Sequence, residues 1–270
     1  MALPANATFG QQVGYVGLRV VCTLGFMFLL LPTLIIMPIS FSSGTFLNYP
    51  LPGWSLRWYE QVLQPHPWGF AFENSMIVAC ATTLIATVLG TLAAYGLTMA
   101  QFKGKALVVG FLISPLVVPL VITALAAYFA LAKVGLLGTH IGLILAHTAL
   151  ATPFVVITVT ATLQGFDHNM VRAAESLGAN PINAFFSVTL PLILPGVLSG
   201  AVFAFVTSFD EIVVALFVAG PGQFTMPRQL FADLRDQLNP SIIAVATLLT
   251  MVSICLMATI EILQRRRAEP

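Results

Sequence analysis

Two adjacent carboxylates lie inside a long apolar stretch, where a charge is costly and therefore informative. Asp210 and Glu211 belong to an apolar run that begins at Pro191. A charged side chain at the centre of a bilayer costs about 2.5–3.5 kcal/mol, so acids in such runs are usually retained for a purpose. They could attract a cation, with the rings of Phe205 and Phe209 adding a cation–π contribution. Alternatively, each acid pairs with another helix or a partner subunit, and both interpretations stay open.

The remaining reactive residue types show no catalytic or metal-binding arrangement. His147 lies in a different apolar run, where a hydrogen bond to a neighbouring helix is a simpler role than a proton relay. Three cysteines also lie in apolar runs without metal-ligand spacing, namely Cys22, Cys80 and Cys255. The nearest approach to a phosphate-binding loop, Gly104-Lys105-Ala106, lacks the upstream glycine and the hydroxyl. We therefore expect no catalytic residue, no metal ion and no cofactor on this chain.

The composition is that of a protein solvated largely by lipid. Among 270 residues, 58% are hydrophobic and only 8% are charged, with a mean hydropathy of +0.95. Soluble domains carry about 25% charged residues because their surfaces face water. The net charge of +1 also gives no electrostatic basis for binding nucleic acid. The apolar runs should therefore be helices, which satisfy their own backbone hydrogen bonds in hydrocarbon.

Six apolar stretches are long enough to cross a bilayer, which takes about 20 residues. They are roughly 13–39, 72–99, 106–131, 141–163, 191–219 and 240–263. The sequence predicts an all-α fold, a polytopic membrane protein in which residues 1–270 form one transmembrane domain with six transmembrane helices. Basic residues favour the side that carries both termini, where Arg265, Arg266 and Arg267 cluster. That side is expected to be cytoplasmic.

The link between the first two spans is rich in aromatic residues. It contains Trp54, Trp58, Tyr59 and Trp68, and Ser55 can cap a short helix that reaches Gln64. Such rings commonly lie at the lipid headgroup level. An interfacial anchor and a contact for an extracytoplasmic partner are both consistent with this pattern.

The second long link, residues 164–190, predicts two short helices that meet at a glycine. Asp167 can cap the first helix, and Gly178 can end it in a left-handed conformation. Asn180 can cap a second helix that has Pro181 at its first position. Ala173 and Ala174 carry little bulk, so another surface could approach this elbow closely.

This elbow resembles the coupling loop of ABC importer permeases. The family motif reads E-A-A, three residues, G, nine residues, I-x-L-P. Ala173, Ala174, Gly178, Leu190 and Pro191 match it at the right spacing, and Val188 replaces the isoleucine. Arg172 stands where the family has glutamate, which leaves open any salt bridge that this glutamate makes.

The resemblance covers nearly the whole chain and is closest to the spermidine/putrescine-type branch. Segments that carry it include ENSMIVA from Glu73, PLVVPLVI from Pro115, TLPLILPG from Thr189 and FAFVTSFDE from Phe203. It implies a type I ABC importer permease fold and a polyamine-like or other small organic cation as substrate. It also implies a place in the bacterial inner membrane with both termini cytoplasmic.

The resemblance further implies partners and roles for particular residues. The expected partners are membrane lipid, a second permease or a second copy of this chain, an extracytoplasmic binding protein and two cytoplasmic ATPase subunits that hold ATP and Mg²⁺. Coupling to the ATPase is expected at Arg172, Ala173, Ala174, Glu175, Gly178, Ala179, Leu190 and Pro191. The substrate path is expected at Asp210, Glu211, Phe205 and Phe209.

Two rival functions are less consistent with the sequence. A secondary carrier or channel would have no need of the docking elbow. An intramembrane enzyme would need a nucleophile–base set or a metal motif, and motifs such as HExxH and GxSxG are absent.

Overall fold

The computed structural model describes residues 8–64, 67–167, 169–236, 240–252 and 254. In this part of the chain every regular element is helical, with one isolated antiparallel bridge between Ser42 and Trp54. The all-α prediction is therefore confirmed. The chain divides into two compact units, one formed by Pro67–Ala232 and the other by Met1–His66 with Asp233–Pro270.

Most of the helices are joined by short links, and a longer one, residues 40–56, joins α1 to α2. They are α1 (Phe9–Ile39), α2 (Arg57–Leu63), α3 (Pro67–Met99), α4 (Lys105–Val117), α5 (Leu120–Lys133), α6 (His140–Gln164), α7 (Asn169–Ser176), α8 (Pro181–Ala184), α9 (Leu190–Phe209), α10 (Val213–Val218), α11 (Met226–Asp236) and α12 (Ser241–Val252). A π-helical turn (Phe185–Thr189) joins α8 to α9, and a 3₁₀ turn (Pro221–Gln223) precedes α11.

Within the described residues, four helical stretches are long and apolar enough to cross a membrane, and the bent pair α4–α5 raises the number to as many as five. The four are α1, α3, α6 and the stretch Pro181–Phe209. The last span predicted from the sequence is 240–263, and the structure describes it mainly as α12. Most of its C-terminal part and the arginines at 265–267 lie outside the described residues. Six spans thus remain a prediction.

Helices α3, α6 and α9 form the tightly packed centre of the larger unit, where small residues face their neighbours. A Cβ added at Gly200 of α9 would lie 2.6 Å from the Thr158 hydroxyl oxygen and 3.0 Å from Val155 Cα. One added at Gly90 of α3 would lie 2.6 Å from Val155 Cβ. Glycines therefore let these backbones approach closely, which matters in lipid because packing replaces the hydrophobic effect as the force that joins helices.

The third apolar run is broken, whereas the sequence predicted one span over 106–131. Helices α4 and α5 meet at an angle of 106°. Val118, at the break, has an extended backbone with φ −71° and ψ 134°. The residue before a proline is disfavoured in the helical region, and Pro119 follows directly. Pro119 therefore favours the break at Val118, which apolar length alone could not reveal.

The aromatic link of the smaller unit is a folded module, and its helix α2 begins close to the predicted position. The Arg57 backbone N–H donates to the Ser55 hydroxyl at 3.2 Å. Trp58 is buried and its indole N–H donates to the Ser42 carbonyl at 2.9 Å. The Tyr59 and Ser40 hydroxyl oxygens are 2.6 Å apart. Trp54 is instead 74% exposed, so its ring is available at the surface of this module.

Candidate coupling elbow and substrate path

The first half of the elbow is a short helix whose start is fixed by a carboxylate. Asp167 Oδ1 accepts the backbone N–H of Asn169 at 2.9 Å, as an acid at a helix N-terminus should. Helix α7 then follows to Ser176. None of its residues is buried, so α7 presents its surface outward.

Gly178 turns the chain in the left-handed conformation that the sequence predicted. Its φ is +91°, and an added Cβ would meet nothing within 4 Å. The Gly178 N–H donates to the Glu175 carbonyl at 2.9 Å, and the Ala179 N–H donates to the Ala174 carbonyl at 3.0 Å. These two bonds form a Schellman motif, which ends a helix by satisfying its last carbonyls.

The second half of the elbow is fastened to the body of the unit. Asn180 Oδ1 accepts the Asn183 N–H at 2.7 Å and caps α8. The Phe185 ring packs edge-on against Tyr95 of α3, with centroids 5.0 Å apart. Ala184 and Thr189 are buried. The elbow therefore has an anchored second half and an outward-facing first half.

The coupling residues predicted from the motif fall into an exposed group and a half-buried group. Arg172, Ala173, Glu175, Gly178 and Pro191 are exposed, and Ala174, Ala179 and Leu190 are half-buried. Leu177 is 91% exposed at the tip, and Ile182 is 69% exposed beyond it. The motif did not single out these two apolar side chains. The sequence did offer a signal, because both side chains lie close to the turn glycine, and apolar side chains exposed at a surface turn are unusual without a partner.

The two acids lie at a break between helices, because the fifth apolar run is not one helix through residue 219. Helix α9 ends at Phe209, and α10 begins at Val213. Glu211 is buried, and its Oε1 accepts the Val214 N–H at 2.8 Å. Asp210 is exposed. Glu211 thus caps α10, and Asp210 is the acid whose side chain is exposed.

The two phenylalanines predicted for the path, Phe205 and Phe209, stack on each other at the end of α9, and Phe209 directly precedes Asp210. Their ring centroids are 5.7 Å apart, and the planes are inclined by 15°. Both rings are half-buried, so part of each remains accessible. A similar stacked pair, Phe154 and Phe203, joins α6 to α9 with centroids 6.2 Å apart, and the sequence did not indicate it.

His147 adopts the structural arrangement that the sequence favoured. It is buried, and its Nδ1 lies 2.9 Å from the Ser208 hydroxyl oxygen. This contact ties α6 to the last turn of α9, directly before the break. Among the described residues, no group of three or more His, Cys, Asp or Glu side chains could hold a metal ion.

The coupling elbow beside a bundle of spanning helices defines the class of protein, which is the membrane subunit of an ABC importer. Residues 86–269 match the family described as the binding-protein-dependent transport system inner membrane component, and the chain belongs to that family. Its membrane location is therefore the inner membrane, crossed several times. Proteins of this family are permease components, not enzymes; a separate ATPase hydrolyses ATP, and a binding protein and a partner permease complete the importer.

Several named proteins are similar to this chain over most of its length. The putrescine transport system permease protein PotI of Escherichia coli K12 is 36% identical over 85% of this chain and 84% of its own length. The spermidine/putrescine transport system permease protein PotC of the same strain is 30% identical over 90% of this chain and 91% of its own. A chain in the crystal structure of a bacterial ABC transporter for import of the acidic polysaccharide alginate has the same fold, with a TM-score of 0.74. That chain is 14% identical, and the match covers 97% of this chain and 99% of that one.

Proposed function

We propose that this chain forms half of the import path for putrescine, spermidine or another small organic cation. The observation that carries the proposal is the exposed carboxylate of Asp210, which follows the stacked pair Phe205–Phe209. A carboxylate attracts an ammonium group, and an aromatic face adds a cation–π attraction once the ammonium has lost water. The similarity to PotI and PotC, whose names specify these polyamines, supports the same substrate class.

The elbow docks on a cytoplasmic ATPase in this proposal. The exposed tip at Leu177 and the exposed Glu175 form the surface that would enter a groove of that subunit, with Arg172 beside it. Two ATPase subunits then bind ATP and Mg²⁺ and drive a pair of permeases, formed with a homologous chain or with a second copy. The elbow side, with both termini, faces the cytoplasm, and the binding protein delivers substrate at the opposite side.

Uptake by the complete transporter in vesicles tests the path. An ammonium about 8 Å from a carboxylate gains about 2 kcal/mol at an effective dielectric constant near 20, which is about thirtyfold in affinity. Asp210→Asn should therefore slow uptake of labelled putrescine by about five- to thirtyfold, with subunit content unchanged on a gel. Glu211→Gln is the matched control, because a glutamine oxygen can still accept the Val214 N–H.

Three results would contradict the proposal. Full putrescine uptake by Asp210→Asn would remove this residue from the path. Equal loss in both variants would point to a general effect of lost charge at the helix break. Uptake without the ATPase subunits would indicate a carrier or channel instead of an ATP-driven importer.

A further inference from the structure

A groove of about 500 Å³ opens between α3, α4 and α6, at the end of the unit that carries the elbow. Its walls are mostly apolar, with Leu97 from α3, Val109 and Ile113 from α4, and Val156 from α6. Polar side chains lie toward one end, where Gln164 is the last residue of α6. The groove is therefore apolar along its length and polar at its mouth.

The groove has about the depth of one membrane leaflet. Val156 and Gln164 both line it and are eight positions apart on α6, which corresponds to about 12 Å of helix. The hydrocarbon region of one leaflet is about 15 Å thick. A groove that begins at the helix end and runs this far accommodates an extended acyl chain from the interface toward the middle of the bilayer.

One basic side chain lies at the mouth of the groove and a second lines the cleft next to it. Lys105 lines the groove, and its ammonium donates to the Ala100 carbonyl at 3.2 Å, which leaves further N–H donors on the same group. A neighbouring cleft of about 370 Å³ contains Arg172 of the elbow helix. Thr98 lines both the groove and the cleft, so the two adjoin at this side chain, with Lys105 in the lining of one and Arg172 in the lining of the other.

We propose that this groove binds an anionic phospholipid, with an acyl chain between α3, α4 and α6 and its phosphate between Lys105 and Arg172. Apolar walls bind any acyl chain equally well, because lipid tails are as apolar as the side chains that face them. Selectivity must therefore come from the cations, and basic pockets between helices on the cytoplasmic side suit acidic head groups. The inner-leaflet location rests on the proposed function, which places the elbow in the cytoplasm.

The site has a functional consequence, because Arg172 belongs to α7 of the coupling elbow. A phosphate held by Arg172 on one side and Lys105 on the other connects the elbow helix to the start of α4. The lipid then stabilises the elbow in one position relative to the spanning helices. Coupling between ATP hydrolysis and transport should depend on anionic lipid for this reason.

Native mass spectrometry of the complete, delipidated transporter tests the site directly. The complex is titrated with dioleoylphosphatidylglycerol or dioleoylphosphatidylcholine, and the apparent Kd of each lipid is measured. Each basic side chain near a membrane surface favours an anionic lipid by about fivefold. Lys105→Gln and Arg172→Gln should each weaken phosphatidylglycerol binding by about that factor and leave phosphatidylcholine unchanged. Lys133→Gln is the control, since Lys133 is an exposed cation at the end of α5 and does not line the groove.

A second variant tests the acyl-chain part of the site. Ala161 lines the groove, and Ala161→Trp should fill part of it and weaken binding of both lipids. Equal affinity of the wild type for the two lipids would overturn the proposal, as would equal effects of the Lys105, Arg172 and Lys133 variants. A disulfide between a cysteine introduced at Val109 and the partner permease would also overturn it, because a protein would then occupy the groove.

The lipid measurement is independent of substrate and of ATP hydrolysis, so it separates this proposal from the proposed function. If putrescine is not transported but phosphatidylglycerol binding still depends on Lys105 and Arg172, the lipid site stands and the substrate assignment fails. ATP hydrolysis in vesicles gives the linked readout. Hydrolysis stimulated by the binding protein should be lower in vesicles of pure phosphatidylcholine than in vesicles that contain about 20% phosphatidylglycerol. Equal stimulation in the two membranes would contradict a role in coupling.

Discussion

Replacing Gly178 with alanine isolates the contribution of one backbone conformation to coupling. The residue has φ +91°, where side chains with a Cβ are strained. An added Cβ would meet nothing within 4 Å, so the substitution creates no clash with the rest of the protein. Any effect of Gly178→Ala therefore comes from the left-handed turn itself and from the two Schellman hydrogen bonds that depend on it.

The expected size of the effect follows from that strain. A non-glycine residue in the left-handed region costs about 1–2 kcal/mol. If the elbow relaxes to another conformation in the free permease, this cost reduces the fraction ready to dock by about five- to thirtyfold. Gly178→Ala should weaken binding of the ATPase subunit by that factor. Gly178→Asn should retain more binding, because asparagine tolerates the left-handed region better than alanine.

Gly104 provides a matched control for this experiment. Its φ is +93°, and an added Cβ there would also meet nothing within 4 Å, but it caps α4 outside the elbow. The assay is titration of detergent-solubilised permease complex with purified ATPase subunit, after Western blots have shown normal membrane insertion. Gly104→Ala should bind the ATPase normally. Undiminished binding by Gly178→Ala, or an equal loss in both variants, would refute the assignment of the elbow as the docking site.

Three further predictions concern the packing of α9 and the helix break that follows it. Gly200→Val should lower the unfolding temperature of the complex, because its side chain has no room against α6 and overpacking costs about 1–3 kcal/mol; Gly110→Val, at a position with open space, is the control. Ser208→Ala should destabilise the complex by about 1–3 kcal/mol, because buried His147 loses a hydrogen-bond partner; an unchanged unfolding temperature would contradict this. Glu211→Ala should cost about 0.5–2 kcal/mol through the lost cap of α10, whereas Glu211→Gln should cost less, and the same thermal assay compares them.

The elbow could be predicted from sequence because its determinants are local. Asp167, Gly178, Asn180 and Pro181 each act on a backbone group within a few positions, and the structure shows the predicted cap, left-handed turn and second helix. The buried His147 was also anticipated, since an uncharged polar side chain in an apolar run needs a partner on a neighbouring helix. Its partner Ser208 is 61 positions away, and no local pattern indicates that pairing.

The breaks in the third and fifth apolar runs could not be read from hydropathy. A window of apolar residues reports that a segment prefers lipid, but it does not report whether the helix continues straight or bends within that segment. The angle between α4 and α5 depends on what Pro119 does to Val118, and proline inside a spanning helix is often tolerated without a break. Pro153 shows this second outcome, since it lies inside the continuous helix α6. The same residue type therefore gives different geometry according to the packing around it.

The neighbouring acids Asp210 and Glu211 lie at one helix break but have different surroundings, which fits the separate roles proposed for them. A helix that ends inside an apolar region leaves backbone groups without partners, and each must be satisfied. Glu211 turns inward and accepts the Val214 N–H, so it stabilises the start of α10. Asp210 is at the C-cap of α9 with φ −93° and ψ 2°, outside the regular helix, and its side chain is exposed. The cap supplied by one acid thus stabilises the break, and the break leaves the other acid exposed, as the proposed substrate path requires.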